Sequence, residues 1–462
     1  MADDVLTRHF ERDESSISSE EITKTVLILS APAVLEMLLQ TLVGLADTAM
    51  VGRLPDGGAA VAATSLANNV FMFALTIFAT IGTGSTALVA RSIGAGDNRT
   101  ADRVVVQSLI CGGFLAVLLT LAGVLFPHYA MDLMGAEGKA HEYGTEYLRI
   151  ICYGAIPTFA MQILSSCLRG AGDTRTPMII NGGVNLLNIG LNWVLIYGNL
   201  GSPAFGVAGA AAATSISRSV GTAVLLFLLA THRLRLTLGR LQDVALDIPL
   251  IRRMLNVGIP AAVETAFMRG AQLAFARLVA SLGTIAVAAH QIALNCESIS
   301  FQPGWGISMA SAAMVGQGLG AGKPKLAERF GYRSLQIAVA IMGSLGVVLF
   351  TIPEVFARLF ILDEEVIRLS VICLRIVAVS QPALACTMVL SNSLRTAGDT
   401  RRMLYITLAG FWLIRLPIGY ILVRYTDLGL AGAWIGMITD LFFRGSACLW
   451  LFRKGYWKTV RV

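Results

Sequence analysis

The sequence predicts an all-α polytopic membrane protein with twelve transmembrane helices in two six-helix lobes related by an internal repeat. Its 462 residues are 55% hydrophobic and only 14% charged, whereas soluble domains have roughly 25% charged residues. Twelve apolar runs follow one another, each near the roughly 20 residues that cross a bilayer. A motif of the first half also recurs in the second. The spans leave no room for a soluble catalytic domain, so we expect no enzyme.

Each predicted span is an apolar run bounded by charged residues or by Gly and Pro. The spans of the first lobe are expected at about 26–52, 58–90, 102–126, 145–168, 176–198 and 206–230. Those of the second lobe are expected at about 249–280, 284–316, 327–352, 367–394, 403–424 and 429–452. Several contain Pro, including Pro32, Pro157, Pro260 and Pro382, which predicts tilted or kinked helices lining a cavity.

The basic residues of the connections fall mostly on one side of the predicted bilayer. The opposite side has only Arg53, Lys139, Arg358, Arg368 and Arg424. By the positive-inside rule, both termini are expected in the cytoplasm. The net charge of +7 is thereby explained by topology, and we expect no nucleic-acid partner.

These spans divide the chain into five predicted segments. We expect a cytoplasmic N-terminal segment at 1–25, an N-lobe with helices 1–6 at 26–230, and a cytoplasmic linker at 231–248. A C-lobe with helices 7–12 follows at 249–452, and a cytoplasmic tail at 453–462.

The internal repeat is carried by LRGAGDTR at 168–175 and LRTAGDTR at 394–401, which are 226 residues apart. At the same offset, Gly94-Ala95-Gly96 aligns with Gly320-Ala321-Gly322. At a nearby offset, Pro32 and Glu36 align with Pro260 and Glu264. Six spans per copy is an even number, so both copies should enter from the same side and face one another across a cleft. Repeats of this kind are typical of transporters.

Ionisable and amide side chains within the first half of the spans form two stripes. Glu36, Gln40, Gly44 and Asp47 share one face of the first helix. In the fifth helix the residues at i, i+4, i+7 and i+11 are Asn181, Asn185, Asn188 and Asn192. Helix geometry allows Asp47, Asn188, Asn192 and Thr214 of the sixth helix to form one cluster at a shared depth. The alternative is that the asparagines only join helices.

In the second half, Glu264 repeats Glu36, and Gln272 lies two turns beyond it. We expect Glu36 and Glu264, with Gln40 and Gln272, to face the cleft and attract a cationic substrate. The alternative is that each Glu pairs with a buried arginine such as Arg269.

Two further charged pairs lie in the later spans. His290 and Glu297 are two turns apart on the eighth helix. They are candidates for a cleft-facing proton relay, unless His290 bonds a carbonyl group and Glu297 pairs with Arg277. Asp440 and Arg444 are expected to neutralise one another at i, i+4.

No cofactor or metal motif is found. The seven cysteines form no CxxC or Cys/His cluster. GQGLGAGKP at 316–324 lacks the first glycine and the final Ser or Thr of a phosphate-binding loop. These patterns therefore indicate no cofactor.

The repeated motif, together with PAVLEMLLQTLVGLADTAMVG at 32–52 and AAHQIALNCESISFQPGWGISMASAAMVGQGLGAG at 288–322, resembles the multidrug and toxic compound extrusion (MATE) family. The resemblance covers nearly the whole chain. It implies a V-shaped pair of six-helix bundles that exports organic cations or amphipathic drugs by antiport against protons or sodium. It also implies a monomer embedded in the inner membrane lipid of a prokaryote. The alternative within the same superfamily is a lipid-linked oligosaccharide flippase, although its cavity usually carries several cations.

In this family the coupling ion binds an Asp of the first helix, an Asn and an Asp of the fifth, and a Thr of the sixth. The resemblance therefore implies that Asp47, Asn188, Asn192 and Thr214 form the coupling site. The only metal ion it leads us to expect is a sodium ion at Asp47, as an alternative to a proton. Asn192 replaces the second carboxylate, which leaves Asp47 as the titratable group of the four. A second subfamily site uses a Glu and an Asp where this chain has Met268 and Leu384, so we do not expect that site.

Overall fold

The computed structural model describes residues 9–10, 17–238 and 245–460. The predicted segments 1–25, 231–248 and 453–462 lie partly outside these residues. The helices of the first half are α1 (Ser19–Gly52), α2 (Gly57–Gly94), α3 (Asn98–Leu125), α4 (Pro127–Leu133), α5 (Gly138–Tyr153), α6 (Ala155–Gly170), α7 (Arg175–Tyr197) and α8 (Gly206–Ala230).

The second half begins with α9 (Ile248–Ala280), α10 (Thr284–Gly320), α11 (Pro324–Thr351) and α12 (Pro353–Arg358), followed by α13 (Glu364–Val379) and α14 (Gln381–Thr396). Next come α15 (Thr400–Leu408), a π-helical segment (Ala409–Arg415) and α16 (Leu416–Tyr425), which form one continuous span. The last long helix is α17 (Gly429–Lys454).

Eight helical stretches among the described residues have the length and apolar composition of a membrane span, and counting each of two bent pairs as one span gives up to ten. The remaining two predicted spans are α9 and α10. Both are long, with 33 and 37 residues, but both carry charged residues inside, such as Glu264 and Glu297. The chain is therefore an all-α multi-pass membrane protein, as the sequence predicts.

Two predicted spans are bent, and they are two of those in which proline predicts a kink. α5 meets α6 at 56°, and α13 meets α14 at 55°. The breaks come at Gly154 and Ser380, shortly before Pro157 and Pro382. A proline clashes with the carbonyl of the preceding turn, and it is tolerated at the start of a new helix. The second bent pair begins 226 residues after the first, so the repeat extends to the kinks.

The turn that follows each bent pair is also repeated. Gly172 and Gly398 have φ of +91° and +93°. The amide groups of Asp173 and Asp399 each donate to the carbonyl five residues earlier, at 2.9 Å. Glycine is required there because a side chain disfavours positive φ. The LRxAGDTR motif thus specifies the same helix end in both halves.

The chain forms two compact units. We call Leu35–Gly258 the N unit, and Ile259–Val462 with Met1–Val34 the C unit. Their boundaries fall inside α1 and α9, close to Pro32 and Pro260, so each of these helices contributes to both units. The predicted lobes, 26–230 and 249–452, remain a prediction of domain organisation.

In the N unit, apolar residues from α2, α5, α6 and α8 form the main core, in which Phe159 of α6 stacks on Phe78 of α2. α7 and α8 approach closely because α8 has glycines at the contact. A Cβ at Gly209 would lie 2.5 Å from the Leu195 carbonyl oxygen. This contact brings the asparagines of α7 next to Thr214 of α8.

In the C unit, one apolar cluster includes Phe275 of α9, Cys296 of α10 and Trp434 of α17. Two glycines let α17 approach the π-helical segment. A Cβ at Gly436 would lie 2.9 Å from the Arg415 carbonyl oxygen, and one at Gly410 would overlap Asp440 Oδ1. The charged side chains of α17 therefore lie directly against the π-helical segment.

Candidate functional site: two buried polar clusters

Asp47 lies in the C-terminal half of α1 and is half-buried in the N unit. Its Oδ1 accepts a hydrogen bond from Asn192 Nδ2 at 2.6 Å. Asn188, one turn earlier on α7, accepts from the same nitrogen at 3.3 Å. The two asparagines are 5% and 1% exposed. The structure thus brings Asp47, Asn188 and Asn192 together.

Thr214 contributes to this cluster from α8. In one orientation of its amide, Asn188 donates to Thr214 Oγ1 at 3.3 Å. Rotated by 180°, Asn188 Nδ2 donates to Asp47 Oδ1 at 3.0 Å and Oδ1 accepts from the Thr214 amide at 3.3 Å. Amide orientation is decided by hydrogen-bond partners. Asn188 therefore has an environment in which it can present either a donor or an acceptor to Asp47.

Two neighbours of Asp47 were not connected with it by the sequence analysis. Arg218 lies one turn after Thr214 on α8, and its guanidinium is attracted by Asp47 and Glu36. Tyr147 of α5 is 8% exposed and interacts electrostatically with Asp47. The sequence contains both residues but gives no sign of which helices pack against one another. In the described structure, the cation that attracts Asp47 is Arg218.

Glu36 is 6% exposed in the N unit. Its Oε1 accepts from Arg169 Nη1 at 3.2 Å and from Asn181 Nδ2 at 2.8 Å. Arg169 is the arginine of LRGAGDTR. The carboxylate of Glu36 is enclosed inside the unit and is neutralised there by Arg169. The alternative of a pair with a buried arginine describes it.

Glu264 has the equivalent environment in the C unit. It is 3% exposed, and it accepts from Arg395 Nη2 at 2.6 Å and Nε at 3.1 Å. Thr407 Oγ1 donates to it at 2.5 Å. Its partner is the arginine of LRTAGDTR, and not Arg269, which is exposed and bonds Gln272 at 3.5 Å. The repeat therefore encodes one buried Glu–Arg pair per unit.

Gln40 and Gln272 are both exposed side chains on their units. Neither makes the buried contacts of the glutamates that precede them. In the described residues, the predicted stripe of α1 thus separates into an enclosed residue, Glu36, an exposed one, Gln40, and a half-buried one, Asp47.

His290 and Glu297 are half-buried on α10 in the C unit. His290 packs against Phe275 and Trp434, with ring centroids 5.8 and 5.5 Å away. Glu297 is attracted by Arg415 of the π-helical segment. Arg277, the partner considered in the sequence analysis, is exposed. The two residues share one side of α10, but the charge that faces Glu297 is Arg415.

Asp440 and Arg444 form the predicted i, i+4 pair, with Arg444 Nε 2.6 Å from Asp440 Oδ1. Arg415 of the π-helical segment joins them, since its Nη2 lies 2.9 Å from Asp440 Oδ2. All three are buried, with 8% exposure or less.

No group of three or more His, Cys, Asp or Glu side chains suited to a metal ion is found in the part of the chain that the structure describes. Near Asp47 the other oxygen atoms that can bind a cation belong to amide and hydroxyl groups. Among them, Asn192 Oδ1 is buried without a hydrogen-bond partner in the described residues. An unsatisfied buried acceptor is costly, so this oxygen is available to a cation or a donated proton.

Two sets of buried ionisable groups, placed on repeated helices that span a bilayer, define a multi-pass membrane transporter. The MatE family matches the chain twice, at residues 32–194 and 260–421. The chain belongs to this family. The two matched stretches correspond to the two copies of the repeat, so the resemblance seen in the sequence is confirmed.

Relatives and solved structures support the same assignment. The chain is 34% identical to a probable multidrug resistance protein NorM of Thermotoga maritima, over 96% of this chain and 94% of that protein. It is 31% identical to a protein of the same name from Mannheimia succiniciproducens, over 90% of each. A structure described as the outward-facing conformation of a multidrug resistance MATE family transporter has a TM-score of 0.87 at 27% identity, covering 95% of this chain and 97% of that one.

Proposed function

We propose that this protein is a secondary antiporter that exports cationic or amphipathic small molecules, driven by an inward flow of protons or sodium ions that bind at Asp47. Export of drugs is suggested by the names of its relatives, which are called multidrug resistance proteins. The coupling role rests on one observation. Asp47 is a carboxylate within a span, hydrogen-bonded to Asn192 at 2.6 Å, and such groups in spans usually serve ion pathways.

The charge balance of the N unit supports this role. The carboxylate of Glu36 forms an ion pair with Arg169 and accepts a hydrogen bond from Asn181. Asp47 has no direct ion pair in the described structure and attracts Arg218 through space. A proton or sodium ion at Asp47 removes that attraction. Without this attraction, Arg218 and α8 are held less strongly near α1, and the packing between the two helices changes.

The amide of Asn188 is suited to both states of Asp47. Facing the free carboxylate, its nitrogen donates at 3.0 Å. Once Asp47 carries a proton or a cation, the amide oxygen becomes the favourable neighbour. Asn192 Oδ1, which lacks a partner, and Thr214 add oxygen donors. The four residues thus provide an exchangeable site for a monovalent cation.

In this proposal the protein lies in the inner membrane of a prokaryote as a monomer surrounded by lipid, with both termini in the cytoplasm. The basic connections on one side support this orientation. The flippase alternative is less favoured, because Arg169, Arg395, Arg415 and Arg444 are each hydrogen-bonded to a carboxylate and are not free to hold a pyrophosphate.

The test is efflux of a cationic dye from proteoliposomes, driven by a proton gradient alone and then by a sodium gradient alone. Asp47→Asn keeps the size of the side chain but removes the charge, so it should abolish efflux under whichever gradient drives the native protein. Asp427→Asn, at an exposed loop position, is the matched control and should transport normally. Undiminished, gradient-dependent efflux by Asp47→Asn would rule out Asp47 as the coupling residue.

A further inference from the structure

The C unit contains ionisable groups that the proposed coupling site does not use. Asp440 is 0% exposed and is shared by Arg415 and Arg444. Both guanidinium groups also lie over the ring of Phe411, at 4.3 and 4.5 Å from its centroid. Two buried cations with one carboxylate leave one positive charge uncompensated, and a net charge within a span is costly.

Glu297 of α10 supplies the missing negative charge. It attracts Arg415. In the part of the chain that the structure describes, however, no hydrogen bond to its carboxyl group is formed. Asp440 takes the direct hydrogen bonds of Arg415, from Nε at 3.0 Å. A carboxyl group with a distant cation and no donor can be either charged or neutral without breaking a contact.

We propose that Glu297 is a proton-exchanging carboxyl group of the C unit, with Arg415 as its counter-ion and His290 as its link to solvent. As a carboxylate, Glu297 balances the second arginine. When it takes a proton from water, an O–H bond forms on the carboxyl group, and Arg415 is left to Asp440 alone. This inference goes beyond the proposed function, because it requires neither Asp47 nor drug export.

Two buried polar atoms next to this group support the proposal. His290 Nδ1 and Trp434 Nε1 have no hydrogen-bond partner among the described residues, although their rings are in contact. Trp434 is 0% exposed. Buried donors are normally satisfied, by water where protein groups are lacking. A water molecule that hydrogen-bonds Trp434 and His290 would lie on the side of α10 that carries Glu297 and would give the proton a path.

The backbone that holds Arg415 is also unusual. Arg415 is the last residue of the π-helical segment Ala409–Arg415. Such segments are rare and are frequent at functional sites. A change of this segment toward α-helical geometry would rotate Arg415 relative to α10. Protonation of Glu297 removes one of the two attractions that hold Arg415, so the charge of Glu297 is coupled to the register of the span.

Other titratable groups near Glu297 are few. The apolar cluster beneath it contains the thiols of Cys296 on α10 and Cys373 on α13. Arg277 of α9 and Arg375 of α13 are exposed. The charged groups that face Glu297 are thus Arg415 and, through it, Asp440 and Arg444, with His290 on its own helix.

The test measures proton uptake by purified protein that carries Asp47→Asn. In this protein position 47 cannot take up a proton, and the measurement involves no transport. The pH is lowered from about 9 to about 5 in protein with Asp47→Asn alone, with added Glu297→Gln, and with added Glu365→Gln. Glu365 is an exposed glutamate of α13 and serves as the matched control. An infrared difference spectrum records the carbonyl band of a buried protonated carboxyl group.

We expect Glu297→Gln to remove that infrared band and about one proton of uptake, whereas Glu365→Gln retains the band. Persistence of the band in Glu297→Gln would overturn the proposal. A second readout is the pH dependence of tryptophan fluorescence, which should be lost in both Glu297→Gln and Trp434→Phe. Arg415→Met should raise the pH at which the infrared band appears. Arg415→Lys should return that pH to the value seen with Arg415. A purely structural Arg415 would leave that pH unchanged.

Discussion

The two units share a buried Glu–Arg pair but differ in what surrounds it. In the N unit, Arg169 reaches Glu36 with one nitrogen at 3.2 and 3.5 Å. In the C unit, Arg395 reaches Glu264 with two nitrogens at 2.6 and 3.1 Å. Asn181 assists the first carboxylate and Thr407 the second. The two copies of the repeat therefore share the Glu–Arg pair but differ in the residue that donates the additional hydrogen bond.

The difference is larger at the position of Asp47. At the spacing that relates Glu36 to Glu264, Asp47 corresponds to Phe275 of α9. Phe275 contacts the ring of His290 and the guanidinium of Arg415. The N unit thus places a carboxylate among amides, whereas the C unit places an aromatic ring beside Arg415. Groups that hold the helices together repeat, and groups suited to exchange an ion do not.

The largest effect should come from removing the shared carboxylate of the C unit. Asp440→Asn leaves Arg415 and Arg444 buried without their common partner. We expect a loss of about 3–5 kcal/mol in stability, seen as a large drop in thermal unfolding temperature in detergent. Asp427→Asn is the control. If Asp440→Asn unfolds like the native protein, the C-unit cluster is not an ion network.

The Glu–Arg pairs should give the next effect. Arg395→Met leaves Glu264 buried and charged, so we expect a loss of about 3 kcal/mol, with a smaller loss for Arg169→Met because that pair has longer contacts. The double variant Glu264→Gln/Arg395→Met should recover much of the stability. Thermal unfolding of the native protein, the two single variants and the double variant measures these stability differences. The pairing would be contradicted if Arg395→Met and Arg169→Met lost equal stability and the double variant were no more stable than Arg395→Met.

The smallest effect concerns helix starts, where the halves also differ. Asp97 caps α3 by accepting from the Thr100 amide at 2.9 Å, whereas the residue at this position of α11 is Lys323, whose side chain does not cap. Hydrogen bonds from the Thr100 hydroxyl and amide lower the pKa of Asp97. Asp97→Ala should cost about 1 kcal/mol at neutral pH.

Because the pKa of Asp97 is lowered in the folded protein, its contribution is complete above the unfolded pKa and is lost as the pH falls through the folded value. The stability difference between native protein and Asp97→Ala should therefore become smaller as the pH falls below the unfolded pKa. Unfolding temperatures measured from neutral pH down to about 3, with Asp427→Ala as control, provide the measurement. A constant difference would mean that Asp97 acts through packing.

The sequence predicted the number and order of the spans because apolar length, basic connections and a repeated motif each leave a direct trace. It also predicted the cluster of Asp47, Asn188 and Asn192, since helical spacing places the asparagines on one face of α7. It missed the partners of Glu36 and Glu264, which are Arg169 and Arg395. Those contacts depend on which helices pack together, and a periodic pattern does not contain that information.

The bends at Gly154 and Ser380 agree with the kinks that Pro157 and Pro382 predict, although the apolar runs continue through them. The cluster around Arg415 was only partly predicted. The i, i+4 pair of Asp440 and Arg444 lies on one helix, so spacing reveals it. Arg415 joins from a π-helical segment that the residue pattern does not show, and its approach depends on the absence of a side chain at Gly410.

The division of α1 between the two units has a consequence for how the chain is made. Arg329 Nη2 donates to the Ile17 carbonyl at 2.7 Å, and Arg333 Nε donates to Thr23 at 2.6 Å. These partners are separated by 312 and 310 residues. At 5–20 residues per second, a ribosome takes roughly 15–60 s to synthesise the second partner after the first.

During that interval Ile22, Val26 and Leu29, which later pack with Met314 and Phe330, lack their final neighbours. The first turns of α1 are thus among the last parts of the described chain to reach their native contacts. A nascent chain that stops before α10 leaves this apolar surface uncovered, and such surfaces are what quality-control proteases and chaperones recognise.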